Sequence, residues 1–264
     1  MIPYYEPFKW ELGPLTLEPF GIFVAAGVLL GVWLGGKHAR RIGLDVTVLQ
    51  DSAVWALCAG TLSGHWVHLF LYHPEELSKS PFQILKFWDG LSSMGGVLGG
   101  IIGTLLFFKR RKINTWNYGD TVAIALPAGW AVARLGCFAV HDHPGIKSDS
   151  FLAVNFPLSY YGGPRLDLGL IDAIALFAIA ALVWNLGTRD LLKGRLIGVL
   201  SLLYGIQRFF TDFLRATDLS YIDKRWAGLT FAQWFCVFLV GFGIYRLIRP
   251  PILTHVEPAP KPVV

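Results

Sequence analysis

Long apolar stretches alternate with short polar breaks along the chain from about residue 18 to residue 248. Most of these stretches are close to the roughly 20 residues that an α-helix needs to cross a hydrocarbon core about 30 Å thick. The pattern therefore predicts an all-α integral membrane protein with seven transmembrane helices. The predicted spans cover residues 18–36, 47–72, 93–108, 118–140, 167–187, 196–214 and 229–248.

The composition agrees with the membrane class. Of the 264 residues, 54% are hydrophobic and only 16% are charged, whereas soluble domains carry about 25% charged residues. The net charge is +5, but the basic residues lie mainly in the breaks between predicted spans. This distribution indicates a membrane protein and not nucleic-acid binding. The three cysteines all lie in apolar stretches and do not form a disulfide framework.

The distribution of basic residues predicts the orientation in the membrane. Most of the 23 basic residues follow odd-numbered spans, and basic residues favour the cytoplasmic side. The N-terminus is therefore expected outside, in the periplasm, and the C-terminus in the cytoplasm. Residues 1–249 are predicted to form one transmembrane domain, and the proline-rich residues 250–264 a disordered cytoplasmic tail. The basic residues that follow odd-numbered spans are Lys37, Arg40, Arg41, Lys109, Arg110, Arg111, Lys112, Arg189, Lys193, Arg195, Arg246, Arg249 and Lys261.

Two arginines inside predicted spans are the main candidates for chemistry. Arg134 lies near the outer end of span four, and Arg208 lies in span six. A charge in the bilayer is costly, so such residues usually face a cavity and contact an anion or a partner. Two guanidinium groups at similar depth suit a phosphate. The alternative is structural, with Arg208 paired to Asp212 four residues later and Arg134 directed outward. Tyr204 shares a helix face with Arg208.

Glycines crowd the third predicted span on adjoining helix faces. They allow close approach of a neighbouring backbone or of a lipid. Spacing alone favours helix packing, and a substrate contact by Gly95 and Gly96 is the alternative. The glycines concerned are Gly95, Gly96, Gly99, Gly100 and Gly103.

Four segments, in this order, resemble bacterial prolipoprotein diacylglyceryl transferases. The segments are Phe87–Gly99, Ala133–Gly136, Tyr204–Arg215 and Gly228–Trp234. Each motif alone is moderately specific, but together they match in order, in spacing and in the seven-span layout. The resemblance covers nearly the whole chain.

The resemblance implies an enzyme that moves a diacylglyceryl group from phosphatidylglycerol to a prolipoprotein cysteine thiol, or to a related acceptor. It implies a bacterial cytoplasmic (inner) membrane location, a phospholipid and a lipoprotein precursor peptide as partners, no nucleic acid and no cofactor. Arg134 and Arg208 would hold the lipid phosphate, Tyr204 would bond the head group, and Asp212 would orient Arg208. Arg215 and Gln233, in matched motifs, are assigned to substrate binding as well.

The sequence also departs from the family pattern. The family has a histidine before the glycine pair of span three, and Met94 stands there instead. A histidine-proline segment before span five has no counterpart except Asp172. Other family positions are changed in type: Phe20 stands for a tyrosine, His65 for an arginine, Cys137 for an asparagine and Asp142 for a glutamate.

A cluster of reactive side chains follows Arg134 and is open to four interpretations. Cys137 and His141 are four residues apart and would share a helix face. His141 or His143 can act as a general base near neutral pH, or Cys137 can act as a nucleophile with His141. A metal site of Cys137, His141, Asp142 and His143 is a third interpretation, and a structural helix end is the fourth. We favour catalysis without a metal ion, with Asp142 and His65 assigned to substrate binding.

A rival function of a different class is also open. The protein would keep the lipid-binding fold without catalysis and act as a lipid-binding, transport or accessory membrane protein. Met94 favours this interpretation, whereas the retained Arg134, Arg208 and Asp212 favour an enzyme.

Overall fold

The computed structural model describes residues 1–12, 15–87, 90–219, 225–249 and 253. The helices are α1 (Pro19–Arg41), α2 (Val46–Val67, continued by a π-helical turn His68–Tyr72), α3 (Pro74–Lys79), α4 (Ser93–Arg111), α5 (Gly119–Val140), α6 (Leu158–Tyr161), α7 (Leu168–Thr188), α8 (Leu196–Thr211) and α9 (Phe231–Ile248). Short 3₁₀ turns cover Pro81–Leu85, Thr115–Tyr118 and Asp212–Leu214. The strands are β1 (Ile2–Pro3), β2 (Trp10–Leu12), β3 (Leu15–Leu17), β4 (Pro144–Lys147), β5 (Ala153–Asn155), β6 (Arg165–Asp167), β7 (Arg225–Trp226) and β8 (Leu229–Thr230). The predicted tail lies outside the described residues, apart from residue 253.

Each of the seven predicted spans corresponds to one of the long helices, with ends shifted by a few residues. Among the described residues, six helical stretches are long and apolar enough to cross a membrane, so the chain is a multi-pass membrane protein. The six are Pro19–Arg41, Val46–Leu71, Thr115–Val140, Leu168–Thr188, Leu196–Leu214 and Phe231–Ile248. Helix α4, 19 residues long, is not among them, because its glycines and its basic last turn lower its mean hydropathy.

The all-α prediction missed a small sheet. Four strands pair in the order β1-β5-β6-β4, with β1 parallel to β5 and the remaining pairs antiparallel. Three of these strands fall in or next to residues 141–166, which lie between the fourth and fifth predicted spans. Each is only two to four residues long, which is too short to produce a recognisable alternating pattern.

The chain divides into two compact units, and the prediction of a single transmembrane domain stays a prediction. The first unit contains residues 1–38 and 119–251. Within it, α8 and α9 approach closely at glycines: a Cβ on Gly243 would lie 2.8 Å from the Gly198 carbonyl oxygen. Helix α9 begins with a capping box, in which Thr230 and Gln233 each bond the other's backbone N–H. Nearer to Arg208, Gly205 packs in the same way, since an added Cβ would lie 3.1 Å from the Cys236 carbonyl oxygen of α9.

The second unit contains residues 39–118 of the described chain. Its helices α2 and α4 pack through Gly95, Gly99 and Gly103, where an added Cβ would lie within 2.4–2.6 Å of α2 atoms. This geometry supports the packing interpretation for Gly95. Gly96 differs, because the nearest atom to its added Cβ is the Gly60 carbonyl oxygen at 3.9 Å.

His65 also lies in this second unit, where it is 1% exposed. Its ring nitrogens face the carbonyl oxygens of Gly90 at 3.1 Å and Gln83 at 2.8 Å. Both nitrogens are therefore engaged with the backbone of the segment that precedes α4. The expected substrate contact by His65 is replaced by this structural role.

Candidate functional site

Three helices of the first unit carry polar side chains at the end where the sheet lies. Arg134 is less than two turns before the end of α5, which leads into β4. Asp172 lies in the first turns of α7, directly after β6. Arg208 lies in the last turn of α8, and the chain after α8 returns to the sheet through a bridge between Arg215 and Gly145. The fold therefore brings these side chains to one end of the unit.

The carboxylate of Asp172 joins the two arginines. Its Oδ2 accepts a hydrogen bond from Arg208 Nη1 at 3.1 Å and lies 3.6 Å from Arg134 Nε. Its Oδ1 accepts from Gln207 Nε2 at 2.9 Å and from Thr211 Oγ1 at 3.2 Å. Asp172 is 1% exposed, so all of these bonds are shielded from water. The two guanidinium groups converge, as the sequence predicted, but they do so around a carboxylate.

A second carboxylate, that of Asp212, extends the network. Its Oδ1 accepts from Arg208 Nη2 at 3.2 Å and from Arg215 Nε at 2.8 Å. Its Oδ2 accepts from Thr230 Oγ1 at 2.6 Å. The expected pairing of Arg208 with Asp212 is confirmed. We refer to the directly ion-paired residues Arg134, Arg208, Arg215, Asp172 and Asp212 as the arginine cluster.

The guanidinium group of Arg134 is the least satisfied part of this cluster. Arg134 is 7% exposed, and its Nε has no hydrogen-bond partner among the described residues. Its Nη1 donates to His143 Nε2 at 3.3 Å and to the Cys137 sulfur at 3.8 Å, both long contacts. Because a buried donor without a partner is costly, this group is suited to an anionic ligand.

His143 and Asp142 form a dyad beside Arg134. His143 Nδ1 is hydrogen-bonded to Asp142 Oδ1. An arginine can only donate, so the lone pair of His143 Nε2 faces Arg134 and the ring proton is on Nδ1. The carboxylate therefore fixes the tautomer that presents a basic nitrogen to the arginine cluster.

His141 does not join this group, and its predicted pairing with Cys137 is wrong. Helix α5 ends at Val140, and His141 has a left-handed backbone with φ of 53°. The four-residue helical spacing therefore no longer applies. The ring turns to Asp167, with Nδ1 2.9 Å from Oδ2. Burial raises the pKa of the Asp167 carboxyl, and the hydrogen bond with His141 opposes that shift.

Aromatic rings enclose His141, which is 1% exposed. The ring centroids of Tyr5, Phe156 and Tyr4 lie 4.8, 5.1 and 5.4 Å from that of the imidazole. His141 thus anchors the N-terminal segment to the sheet instead of facing the arginine cluster. The four-residue metal set is wrong for the same reason.

The remaining three members of that set stay close together. One potential ligand atom from each of Cys137, Asp142 and His143 lies within 4.8 Å of the others. Arg134 donates to both the sulfur and the imidazole. The guanidinium is therefore the cation that these groups contact, and a metal ion would have to displace it.

A protein-family model matches most of the chain. The family model described as prolipoprotein diacylglyceryl transferase matches residues 7–249. The chain belongs to the prolipoprotein diacylglyceryl transferase family. The resemblance inferred from the motifs is thereby confirmed.

Relatives called phosphatidylglycerol–prolipoprotein diacylglyceryl transferase align over nearly their whole length. The Bordetella bronchiseptica protein is 29% identical over 261 residues, which cover 94% of this chain and 98% of the relative. The Rhizobium leguminosarum bv. trifolii protein is 30% identical over 271 residues, with 94% and 92% covered. The Symbiobacterium thermophilum protein is 28% identical over 235 residues, with 85% and 86% covered.

The predicted site residues of this family member fall into two groups. The structure brings together Arg134, Arg208, Asp212, Arg215, Cys137, Asp142 and His143. Tyr204 is close enough to Arg134 and Arg208 to interact electrostatically, and its ring packs on Trp130 at 4.7 Å. Of the other predicted residues, His141 is at the sheet, and Gly95, Gly96 and His65 belong to the second unit.

Gln233 was assigned to substrate binding, and the structure gives it a different role. It is fully buried. Its amide oxygen accepts from the Thr230 N–H at 3.0 Å, and its amide nitrogen donates to the Phe209 carbonyl oxygen at 3.2 Å. Gln233 therefore holds the start of α9 against α8.

Sequence reasoning missed the importance of Asp172. It noted this residue only as a possible counterpart of a family position, although Asp172 is the single charged residue of α7. An acid within an otherwise apolar span is a signal of function or of a buried ion pair.

Proposed function

We propose that this protein transfers the diacylglyceryl group of phosphatidylglycerol to the cysteine thiol of a lipoprotein precursor. Membership of the family and the names of the aligned relatives support this activity. The observation that carries the proposal is the convergence of Arg134 and Arg208, from separate helices, on one carboxylate. Guanidinium groups bind phosphate oxygens through paired hydrogen bonds and stay charged in a dry site.

The Nε donor of Arg134, which has no hydrogen-bond partner among the described residues, supports a phosphate-binding role. A phosphodiester oxygen at this donor would receive hydrogen bonds from Arg134 and from Arg208. As the bond from carbon to the phosphate oxygen breaks, negative charge develops on the leaving group. Donors that are already in place stabilise that charge without reorganising. Tyr204, near both arginines, would bond the head group.

His143 is the residue that we assign to the acceptor thiol. Its Nε2 would take the thiol proton, and the resulting thiolate would attack the glycerol carbon that bears the phosphate. A carbon–sulfur bond forms, the carbon–oxygen bond breaks, and glycerol phosphate leaves with the electron pair. Asp142 would hold the ring and stabilise the imidazolium. Because Arg134 Nη1 occupies the same lone pair, the arginine must turn to the phosphate before His143 acts.

The chemistry of the group transferred does not favour Cys137 as a nucleophile. A diacylglyceryl group on Cys137 would be held as a thioether, which is a poor leaving group, and transfer would stop after one event. The long contact between Cys137 and Arg134 supports a role in packing beside the guanidinium.

We further propose seven spans in the bacterial cytoplasmic membrane, with the N-terminus in the periplasm and α4 as the third span. A 19-residue helix is about 28 Å long, close to the thickness of the hydrocarbon core. Its last turn holds Lys109, Arg110 and Arg111, as expected at the cytoplasmic side. Reporter fusions after residues 112 and 190 should both indicate the cytoplasm. A periplasmic signal at residue 112 would contradict the seven-span topology.

The transferase activity can be tested with purified protein in vesicles that contain phosphatidylglycerol labelled in its acyl chains. A lipobox peptide should gain the label, and glycerol phosphate should appear in equal amount. Arg208→Ala should abolish transfer. The matched control is Arg189→Ala, which removes an exposed arginine after α7 and should leave transfer unchanged.

In the rival function, the protein binds the lipid but does not catalyse the transfer. The residue type at Met94, where the family has a histidine, supports it. Under this interpretation the protein would bind phosphatidylglycerol in an Arg134-dependent manner but release no glycerol phosphate, while a relative assayed in parallel does. That result would replace the transferase proposal with a lipid-binding role.

A further inference from the structure

We propose that Asp172 sets the charge of the arginine cluster so that the site holds a monoanionic phosphodiester and releases a dianionic phosphomonoester. The inference rests on the proposed transfer reaction and concerns its product. Asp172 would not touch the reacting atoms. It acts through Arg134 and Arg208, and is therefore a charge-setting and positioning residue.

The charge balance of the cluster follows from its ion pairs. Three guanidinium groups, those of Arg134, Arg208 and Arg215, meet the two carboxylates of Asp172 and Asp212. These five residues sum to one net positive charge, and the most exposed of them is Arg215, which pairs with Asp212 and has a side chain that is 31% exposed. Asp142 contributes less, because it contacts Arg134 only through the ring of His143 and its side chain is 40% exposed, so that water screens its charge.

The substrate and the product of the proposed reaction differ in charge. A phosphodiester such as the phosphatidylglycerol head group carries one negative charge. A phosphomonoester carries about −1.5 to −2 near pH 7, because its second pKa is about 6. A site with one net positive charge neutralises the diester and leaves the monoester with unmatched negative charge. With Asp172 neutral, the site would carry two positive charges and would match the product.

The position of Asp172 makes its charge effective. Its Oδ2 is 3.1 Å from Arg208 Nη1 and 3.6 Å from Arg134 Nε, and the residue is almost fully buried. A charge at this distance in a water-poor site acts far more strongly than one at the surface. A phosphate between the two arginines would lie close to this carboxylate, and each added negative charge would be repelled by it.

The surroundings of Asp172 also allow a conservative test. Asparagine has nearly the same shape, and its oxygen can still accept from Arg208. Its new N–H₂ group replaces Oδ1, which now accepts from Gln207 Nε2, and a turn of the Gln207 amide presents to it the buried Oε1, which has no hydrogen-bond partner among the described residues. Asp172→Asn therefore removes a charge while keeping most of the local bonding.

The experiment measures binding of two soluble head-group analogues to the purified protein in detergent, with no acceptor peptide present. The analogues are glycerol phosphate, a monoester, and glycerophosphoglycerol, a diester. Wild-type protein should bind the diester at least as well as the monoester. Asp172→Asn should bind glycerol phosphate on the order of tenfold more tightly and should gain less affinity for the diester, which carries less negative charge. The matched control is Asp149→Asn, which neutralises an exposed acid and should bind both analogues as the wild type does.

A merely structural role for Asp172 gives a different result. Binding of both analogues would then weaken together in Asp172→Asn, and this outcome would overturn the inference. If Asp172→Asn does not fold, the test uses the wild-type protein. Tighter binding of the monoester than of the diester by wild type would also overturn the inference.

The transfer assay separates this inference from the proposed function. Absence of transfer by wild-type protein that still prefers the diester counts against the transferase activity alone. Normal transfer together with unchanged glycerol phosphate affinity in Asp172→Asn counts against the role of Asp172 alone. In the expected case, transfer by Asp172→Asn becomes more sensitive to inhibition by added glycerol phosphate.

Discussion

Arg165 and Arg134 are both buried arginines of the first unit, and their surroundings differ. Arg165 is 2% exposed and is held by a bidentate pair with Asp218, at 2.8 and 2.6 Å. It also donates to the carbonyl oxygens of Tyr161 at 2.6 Å and Gly145 at 3.1 Å. Arg134 is 7% exposed, and its closest carboxylate oxygen lies 3.6 Å away.

This difference is why we assign a structural role to Arg165 and propose a binding role for Arg134. The donors of Arg165 are directed to protein acceptors, so this residue joins the segment after α8 to β4 and α6. Arg134 Nε has no hydrogen-bond partner among the described residues and lies 3.6 Å from Asp172 Oδ2. Burial alone therefore does not distinguish these two arginines, whereas the satisfaction of their donors does.

The largest expected effect is on Arg134. Arg134→Ala should lower the rate of diacylglyceryl transfer about 10³-fold, because a donor to the leaving phosphate is lost. Stability should change little, since Asp172 keeps its bonds to Arg208, Gln207 and Thr211. Transfer rates and thermal unfolding of the same preparations measure both quantities. A parallel loss of folded protein and activity would show that Arg134 has a structural role, as Arg165 has.

The next effect concerns the two histidines, which the sequence could not tell apart. His143→Gln should lower transfer about 10²-fold, as expected for loss of a general base, and should flatten the acidic limb of the pH–rate profile. His141→Gln should instead lower the thermal unfolding midpoint, because His141 is enclosed by aromatic rings and bonded to Asp167. Equal effects of both changes on the pH–rate profile would contradict this division of roles.

Arg165→Ala should act mainly on stability. The change leaves two carbonyl oxygens and one carboxylate without their donor, at a cost of about 2 kcal/mol. The figure is kept low because the side chain of Asp218 is 49% exposed and water can take over part of the interaction. Chemical denaturation measures the loss. Transfer per folded molecule should fall much less than in Arg134→Ala.

The smallest effect is the pH dependence of the same ion pair. The hydrogen bonds from Arg165 lower the pKa of Asp218 to about 2, below the value of about 3.9 for a free aspartate. A carboxyl whose pKa is lower in the folded than in the unfolded protein stabilises the fold at pH values above its unfolded-state pKa. This contribution is lost as the pH falls to the folded-state pKa. Asp218→Asn should thus be less stable than wild type above pH ~4, and this difference in stability should disappear between pH ~4 and ~2. A difference in stability that stays constant over this pH range would show that the carboxylate charge is not involved.

Much of the site could be predicted, and the failures have a local cause. Arg134, Arg208 and Asp212 were identified because charge in an apolar span is rare, and each lies where it was expected. The prediction for His141 failed because it extended the helical period beyond Val140, where α5 ends and the backbone becomes left-handed. The assignment of Gln233 failed because a motif match does not distinguish a helix cap from a substrate contact.

The sequence by itself determined the membrane class, the seven helical segments and the family, since these depend on hydropathy, on basic clusters and on motif order, which are local properties. Only the tertiary structure decided which acid meets which arginine. Asp172 is separated from Arg208 by 36 residues, and their contact depends on how α7 and α8 pack. Other tertiary contacts give acceptors to Nε, Nη1 and Nη2 of Arg165, whereas Arg134 Nε has no hydrogen-bond partner within the described part of the chain, because hydrogen-bond satisfaction is a property of three-dimensional neighbours and not of the residue type.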